Sequence, residues 1–473
     1  MEQITGTIQT DQGYFHGVLC PEKTFDVVER PLIIGGKKAV LYSINGFTDE
    51  GSVQRIVQFF CGVAEKDMPA TPGEFLEGFT PYGDVQTAAE TEKLLTALLS
   101  GLTILLIDGY WEGLIFDCRE YPSRGVQEPE KDKVLRGSRD GFAENLVVNT
   151  ALIRRRIRDP RLRTEIYQVG VRSRTDVAIL YMEGGPEEGF LKKIRDRIQT
   201  VHVDALTMNQ ESLAECIYRA PWYNPLPKFR YSERPDTTAA CLLENNVVVL
   251  VDNSPAAMIL PSSVFDIVEE IDDYYFPPLT GTYIRLSRAL VALVSLYLTP
   301  LYVLVMSYAD RLPPALEFLL PAETVNVPIL LQLLILELSI DGLRLASVNT
   351  PSMLSTPLSI IAGIVLGDFS VKSGWFNTDV MLYMAVVTVA NYSHSSFELG
   401  YAIKFMRILL LIMTSAFGLC GFILATVVIL VLVVRNKTIA GTSYLYPLIP
   451  FRWSKIKERL IRKRLPHSYG GNS

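Results

Sequence analysis

Two uninterrupted apolar stretches limit what this chain can fold into. "ALVALVSLYLTPLYVLVMSY" (289–308) runs twenty residues without a charge, and "ILLLIMTSAFGLCGFILATVVILVLVV" (408–434) runs twenty-seven. At a helical rise of about 1.5 Å per residue, each is long enough for a hydrocarbon layer about 30 Å thick, and neither shows the polar face of a soluble helix. Both are expected to span a membrane. Between them lie 325–340, 357–370 and 379–393, shorter or interrupted by polar residues, each readable as a full span, a half-helix or a re-entrant piece. Arg285 and Arg288 precede the first span, and Arg435 and Lys437 follow the last. The tail adds Arg452, Lys455, Lys457, Arg459, Arg462, Lys463 and Arg464 against one acid, Glu458. The positive-inside rule then puts both ends in the cytoplasm, with an even number of crossings, most simply four, and 325–340 the weakest candidate among them. Thr299-Pro300 is expected to kink the first span. "YAIKFMR" (401–407), carrying Lys404 and Arg407, reads as a short interfacial helix ahead of the last.

The residues before about 280 have a different character. They hold 29 Lys+Arg against 42 Asp+Glu, in a chain whose net charge is −6. They also contain a repeat. "LYSINGFTDEGSVQRI" (41–56) aligns with "ILYMEGGPEEGFLKKI" (179–194): an apolar strand, a turn glycine (Gly46, Gly184), an acidic helix start (Glu50, Glu188) and an amphipathic helix. "LLIDGYWEGLIF" (105–116) matches "VLVDNSPAAMIL" (249–260) as strand, Asp-led turn, strand. The expected organisation is an α/β soluble N-terminal half of two similar strand–helix subdomains, 20–135 and 136–275. An all-α transmembrane domain follows over 285–437, then a basic cytoplasmic tail over 438–473.

Six arginines crowd 154–163: Arg154, Arg155, Arg156, Arg158, Arg161 and Arg163. They sit in the acidic half, which argues against a nucleic-acid grip, because affinity for phosphates needs a basic field over a whole face. Phe142, Leu146, Thr150, Ile153 and Ile157 form a helical stripe that Asp159-Pro160 ends, so the arginines project from its flanks and last turn. Two readings stay open: a solvated helix end with local ion pairs, or a contact between subdomains or subunits built on guanidinium–carboxylate forks.

Enzymatic signatures are missing from the sequence. It has no GxSxG, HExxH, Walker A or GxGxxG, and "IIGGKKAV" (33–40) reads as a hairpin turn. Asp108 and Asp252, equivalent across the repeat, read as turn-capping residues rather than an acid–base pair. The six cysteines contain no CxxC and the four histidines are far apart, so neither a disulfide framework nor a zinc site is expected. No cofactor and no metal are expected, and the chain is not read as an enzyme.

The membrane half carries the sharper signals. Gly363 and Gly367 in "AGIVLGD" form a small-xxx-small face that allows close helix approach, with Asp368 at its end. Glu337, Asp341 and Arg344 fall on one side of a helix. Intramembrane acids point to an ion path, and copies ringed about an axis would turn Asp368 or Glu337 into a ring of carboxylates favouring cations, narrowed by Ile364, Val365 or Leu366. The pore-lining set is thus Gly363, Ile364, Val365, Leu366, Gly367, Asp368, Glu337 and Asp341. The competing reading leaves Glu337, Asp341 and Asp368 solvated at helix ends in the headgroup region.

Four blocks, "DGFAENLVVNTALIRRRIRDPRLRTE" (140–165), "VVVLVDNSPAAMILP" (247–261), "YIRLSRALVALVSLYLTPLYV" (283–303) and "GTSYLYPLIPF" (441–451), together resemble the A subunits of the GerA-type spore germination receptors. The similarity runs from about residue 25 to the tail. "TFDVVERPLIIGGKKAVLYSINGF" (24–47) and "LELSIDGLRLASVNTPSML" (336–354) resemble the branch of stage V sporulation protein AF. Where nutrient receptors carry a Glu-x-x-Arg-Glu-Ala-like run, this chain reads "ELSIDGLRLAS", a departure that favours that branch.

The resemblance implies a multi-pass protein of the spore inner membrane with head and tail on the spore-core side. It also implies a homo-oligomeric ring, a pentamer, that conducts ions and amplifies germination rather than sensing nutrients. Other germination membrane proteins and the lipid bilayer are the implied partners, and the arginine cluster becomes interdomain or intersubunit cement. The alternative is a non-conducting scaffold that docks other germination proteins.

Overall fold

The computed structural model describes residues 2–79, 85–120, 138–219, 221–270, 272–321, 326–350 and 360–461. Arg462, Lys463, Arg464 and the side chain of Leu366 lie outside that set. The chain forms two compact units: a head of Met1–Ala220 with Phe229–Pro261, and a helical unit of Pro221–Lys228 with Ser262–Ser473.

The head contains two antiparallel five-stranded sheets of the same topology. Strands β1 (Val27–Ile34), β2 (Lys37–Ile44), β3 (Val85–Ala88), β4 (Thr103–Ile107) and β5 (Gly113–Phe116) pair in the order β1-β2-β4-β5-β3. Strands β6 (Leu162–Val169), β7 (Thr175–Met182), β8 (Arg230–Ser232), β9 (Val247–Val251) and β10 (Ala257–Leu260) pair as β6-β7-β9-β10-β8. Helices α1 (Ile8–Leu19), α2 (Glu50–Cys61), α3 (Pro72–Phe79) and α4 (Thr91–Leu99) accompany the first sheet. Their counterparts α5 (Leu146–Arg154), α6 (Glu188–Gln199), α7 (Asn209–Ile217) and α8 (Pro235–Leu243) accompany the second.

Both faces of the first sheet are covered, and the side-chain period of two sorts its residues. Val40, Tyr42, Ile104 and Leu106 join one cluster with Phe15 and Leu94. Ala39, Leu41, Leu105 and Ile107 join another with Ile56, Phe60 and Phe75. The β1–β2 hairpin turns on Gly35 and Gly36 at φ 51° and 73°, the left-handed pair that a two-residue turn matched to strand twist requires.

The repeat extends into capping details. Gly46 and Gly184 both adopt positive φ, 83° and 75°, immediately ahead of α2 and α6. Asp108 accepts from the Ile8 amide at 3.0 Å, at the start of α1, and Asp252 accepts from the Leu146 amide at 3.1 Å, at the start of α5. The two aspartates therefore cap helix N-termini about a hundred residues away in sequence. Asp11 accepts from the Thr5 amide at 2.9 Å and Asn149 from the Ala143 amide at 2.8 Å, equivalent bonds at equivalent positions. The first subdomain thus includes α1, ahead of the expected boundary at residue 20.

The helical unit contains α9 (Val264–Val268), α10 (Asp272–Tyr275), α11 (Pro278–Ser307), α12 (Ile329–Asn349), a π-helical turn Gly363–Phe369, α13 (Thr378–Tyr392), α14 (Phe397–Arg435) and α15 (Trp453–Leu460). Residues 262–275, expected to close the second subdomain, belong here because Ile267 packs with Leu399, Ala402, Ile403 and Tyr444. Among the described residues, α11 and α14 are the helices long and apolar enough to cross a membrane.

The 408–434 stretch is not one straight rod. Gly418, at φ 57° and ψ −134°, interrupts α14 with a backbone conformation closed to side-chain-bearing residues. The chain folds back there. A Cβ on Gly421 would overlap the carbonyl oxygen of Met413, eight residues earlier, so the arms 397–417 and 419–435 lie in direct contact. Leu399, Met406 and Leu410 of the first arm share a core with Ala425 and Ile429 of the second. Tyr302 and Val303 near the end of α11, Leu333 at the start of α12, Val380 at the start of α13 and Leu411 form a further cluster. Thus α12 and α13 run opposite to α11 and to the first arm.

Candidate functional site

The polar centre of the helical unit is built from three helices. On α12, Glu337 and Asp341 stand four residues apart and so share a face; on α14, Lys404 and Arg407 stand three apart and do the same. The two faces meet. Arg407 donates from Nε to Glu337 Oε1 at 2.7 Å, and its Nη2 lies 2.6 Å from the same oxygen. Its Nη1 donates to the Ser295 carbonyl of α11 at 2.6 Å and to Ser295 Oγ at 3.1 Å. Lys404 Nζ donates to the Glu337 carbonyl at 3.1 Å, lies 3.2 Å from Glu337 Oε2, and pairs with Asp341 Oδ2. Arg407, Glu337 and Lys404 are 1%, 4% and 5% exposed.

Two acids and two bases leave this cluster without net charge. That balance lets it persist in a low-dielectric interior, where an uncompensated charge costs several kcal/mol. Lys404 and Arg407 are therefore not on a short interfacial helix, as the sequence suggested. They lie on the first arm of α14 and are buried, because each finds a carboxylate on α12. Arg344, one turn beyond Asp341, lies over the rings of Phe397, Tyr401 and Tyr392 at 4.7, 5.1 and 5.4 Å. Thr388 and Asn391 of α13 complete a small cleft against the ion cluster, and Asn391 Oδ1 is buried without a hydrogen-bond partner.

The other expected pore residues stand elsewhere. Gly363, Ile364, Val365, Gly367 and Asp368 belong to the π-helical turn, and none of the described residues would meet a Cβ on Gly363 or Gly367. Ile364 and Val365 are exposed, and Asp368 pairs with Lys372 at 3.1 Å on the surface. Among the described residues the small-residue face is thus uncovered, and the cleft beside Glu337 and Asp341 includes none of its residues.

The arginine cluster divides in two. Arg154, 1% exposed, donates from Nε to Asp26 Oδ2 at 2.9 Å and from Nη2 to Asp26 Oδ1 at 3.3 Å, joining the second subdomain to the first. Arg163 donates from Nη1 to the Val18 and Leu19 carbonyls at 3.0 and 2.9 Å, closing the C-terminus of α1, and from Nη2 to Glu183 at 2.6 Å. Both therefore join the subdomains. Arg156 pairs with Asp140 at 2.5 Å and Arg161 with Asp159 at 2.7 Å, both within the second subdomain, while Arg155 and Arg158 are exposed.

Sequence reading missed Ser295, Lys404 and Arg407 as members of one site. The available signal was charge balance: two bases in one apolar segment matched in number by two acids in another.

The chain matches the family described as Bacillus/Clostridium GerA spore germination protein over residues 19–469. It is 34% identical over 457 residues to stage V sporulation protein AF of Bacillus subtilis (strain 168), covering 96% of this chain and 92% of that one. It is 28% identical to spore germination protein KA of the same organism, over 92% of this chain and 81% of that one. With spore germination protein GerLA of Bacillus cereus it shares 28% identity over 92% and 89%. The crystal structure of the N-terminal domain of the A subunit of the Bacillus megaterium spore germinant receptor GerK3 aligns at a TM-score of 0.39 and 22% identity, covering 55% of this chain and 96% of that one. With a match that spans nearly its whole length, this chain belongs to the GerA family of spore germination proteins.

Proposed function

We propose that the chain is a multi-pass protein of the spore inner membrane, with head and tail on the spore-core side, whose copies form a ring that conducts monovalent cations and amplifies germination. A pentamer is the ring size the family resemblance implies. The observation that carries this reading is the outward face of Gly363–Asp368. It combines apolar side chains, two glycines and a carboxylate, and among the described residues nothing covers the glycines. Neighbouring copies are the natural cover for such a face. Asp368, whose pairing with Lys372 is exposed, supplies the carboxylate ring, because Glu337 and Asp341 are held by the buried Lys404 and Arg407 inside each copy. No catalytic step is involved.

A second reading, a non-conducting scaffold that docks other germination membrane proteins, draws support from the same ion cluster. Charges neutralised within one chain hold helices together whether or not anything passes between copies. Reconstitution in liposomes separates the two. Conduction predicts cation flux in the wild-type protein that changes at least severalfold in Val365→Trp or Asp368→Asn. Wild-type liposomes as tight as empty ones, with both variants altering thermal stability alone, would favour the scaffold.

A further inference from the structure

At one end of the helical unit, several segments come together. Val264 donates its amide to the Tyr444 carbonyl at 3.0 Å, and Ser395 donates to the Ile267 carbonyl at 3.0 Å. Asn224 Nδ2 donates to Asn436 Oδ1 at 3.2 Å, and Arg285 Nη1 donates to the Arg459 carbonyl at 3.1 Å. The start of α11, both ends of α14, the excursion Pro221–Lys228 and the helix α15 therefore share this end.

Four large aromatic side chains stand out from it: Trp222, Tyr223, Phe451 and Trp453, at 95%, 66%, 69% and 65% exposure. They come in adjacent pairs, with ring centroids 6.3 Å apart in each. Leaving this much aromatic surface in water is unfavourable, and aromatic rings with polar edges settle at the boundary between hydrocarbon and water. The position fits. Asn436 follows the last residue of α14, and Trp222 is two residues from Asn224, a reach of at most about 7 Å along the chain.

Exposed charge on the same rim is mostly basic, with Glu398 at the start of α14 an exposed acid among it. Lys437, Arg452 and Lys457 are exposed there. Several other nearby acids are engaged by buried or half-buried arginines: Asp266 and Glu269 by Arg459, Glu269 and Asp273 by Arg285, and Glu270 and Asp273 by Arg288. An aromatic rim with surplus cations, continuous with two helices able to cross a bilayer, matches the chemistry of an anionic lipid headgroup layer.

We infer that this rim is a lipid-binding collar, in which Trp222, Tyr223, Phe451 and Trp453 lie in the interfacial layer while Lys437, Arg452 and Lys457 hold the phosphates of anionic phospholipids. The inference rests on α11 and the two arms of α14 being embedded in a bilayer but not on conduction, so a protein that carries no current can still possess the collar.

The test places full-length protein in phosphatidylcholine nanodiscs, with Trp111→Phe and Trp375→Phe to remove the other two tryptophans and either Trp222→Phe or Trp453→Phe to leave one collar residue. Lipids brominated high on the acyl chain are expected to quench the remaining tryptophan. Brominated phosphatidylglycerol is expected to do so at about fivefold lower mole fraction than brominated phosphatidylcholine, corresponding to roughly 1 kcal/mol for one basic contact. Adding Lys437→Gln, Arg452→Gln and Lys457→Gln together should merge the two curves and leave quenching itself intact. The wild-type comparison stands even if that variant does not fold. The inference is overturned if aqueous acrylamide quenches these residues and the lipids do not, if the two lipids quench equally in wild type, or if neither reagent reaches them because another protein copy covers the rim.

Discussion

Arg154–Asp26 and Arg407–Glu337 are the same device in different surroundings: a guanidinium buried against a carboxylate far away in sequence, one pair in the head and one in the helical unit. Removing one partner of such a pair leaves the other charged and without water, at a cost of about 3–5 kcal/mol. Asp26→Ala should therefore lower the thermal unfolding midpoint of the head markedly, while Arg161→Ala, at an exposed local pair, should move it hardly at all. Scanning calorimetry of the full-length protein reads both. The six arginines were legible as a cluster. Which of them face the first subdomain was not, because Asp26 lies 128 residues away from Arg154 and nothing local announces it. Lys228 offers a pH readout. Burial lowers its ammonium to about 8, where it meets Asn436 Oδ1 and the Lys437 carbonyl. Below that value the ammonium is charged in both folded and unfolded chains, and the cost of burying it is present in full. Above it, up to the ordinary lysine value near 10.4, the unfolded chain holds more protons than the folded one, so stability rises with pH. Lys228→Met should remove that rise, seen as a flatter dependence of melting temperature on pH between about 7 and 10.

Among the elements, α14 departs most from what its sequence suggests. Hydropathy averaged along 408–434 reports twenty-seven apolar residues and says nothing about a single backbone angle, so the reversal at Gly418 is invisible to it. The strands and helices of the head were legible because their information is local: period-two alternation, a turn glycine, an acidic helix start. The ion cluster was not, since Lys404 and Asp341 are separated by 63 residues and each looks merely polar in its own window. The hairpin makes a sharp prediction. Cysteines placed at Ser396 and Lys437 should react with an impermeant maleimide from the same face of a vesicle, whereas a single straight span would put them on opposite faces. Gly421→Leu should separate the arms and destabilise the helical unit by at least about 2 kcal/mol, read as a lowered melting temperature in detergent.

For the whole molecule, the duplication explains why the head has two sheets of one topology, and why a rigid Arg154–Asp26 joint between them is needed at all. Among the described residues the helical unit shows no such repeat, and the order of its helices is set by contacts between segments distant in sequence. The excursion Pro221–Lys228 leaves the head, packs Leu226 beside Tyr444 and Ala425, and returns at Phe229. A chain truncated after Pro261 keeps that excursion but loses its partners. It should aggregate, and exchanging 221–228 for a short Gly/Ser link should restore a single monodisperse peak on size exclusion. The same threading bears on descent. A unit that begins before its neighbour has finished cannot be exchanged whole by recombination at one site, so the head and the helical unit are expected to be inherited together.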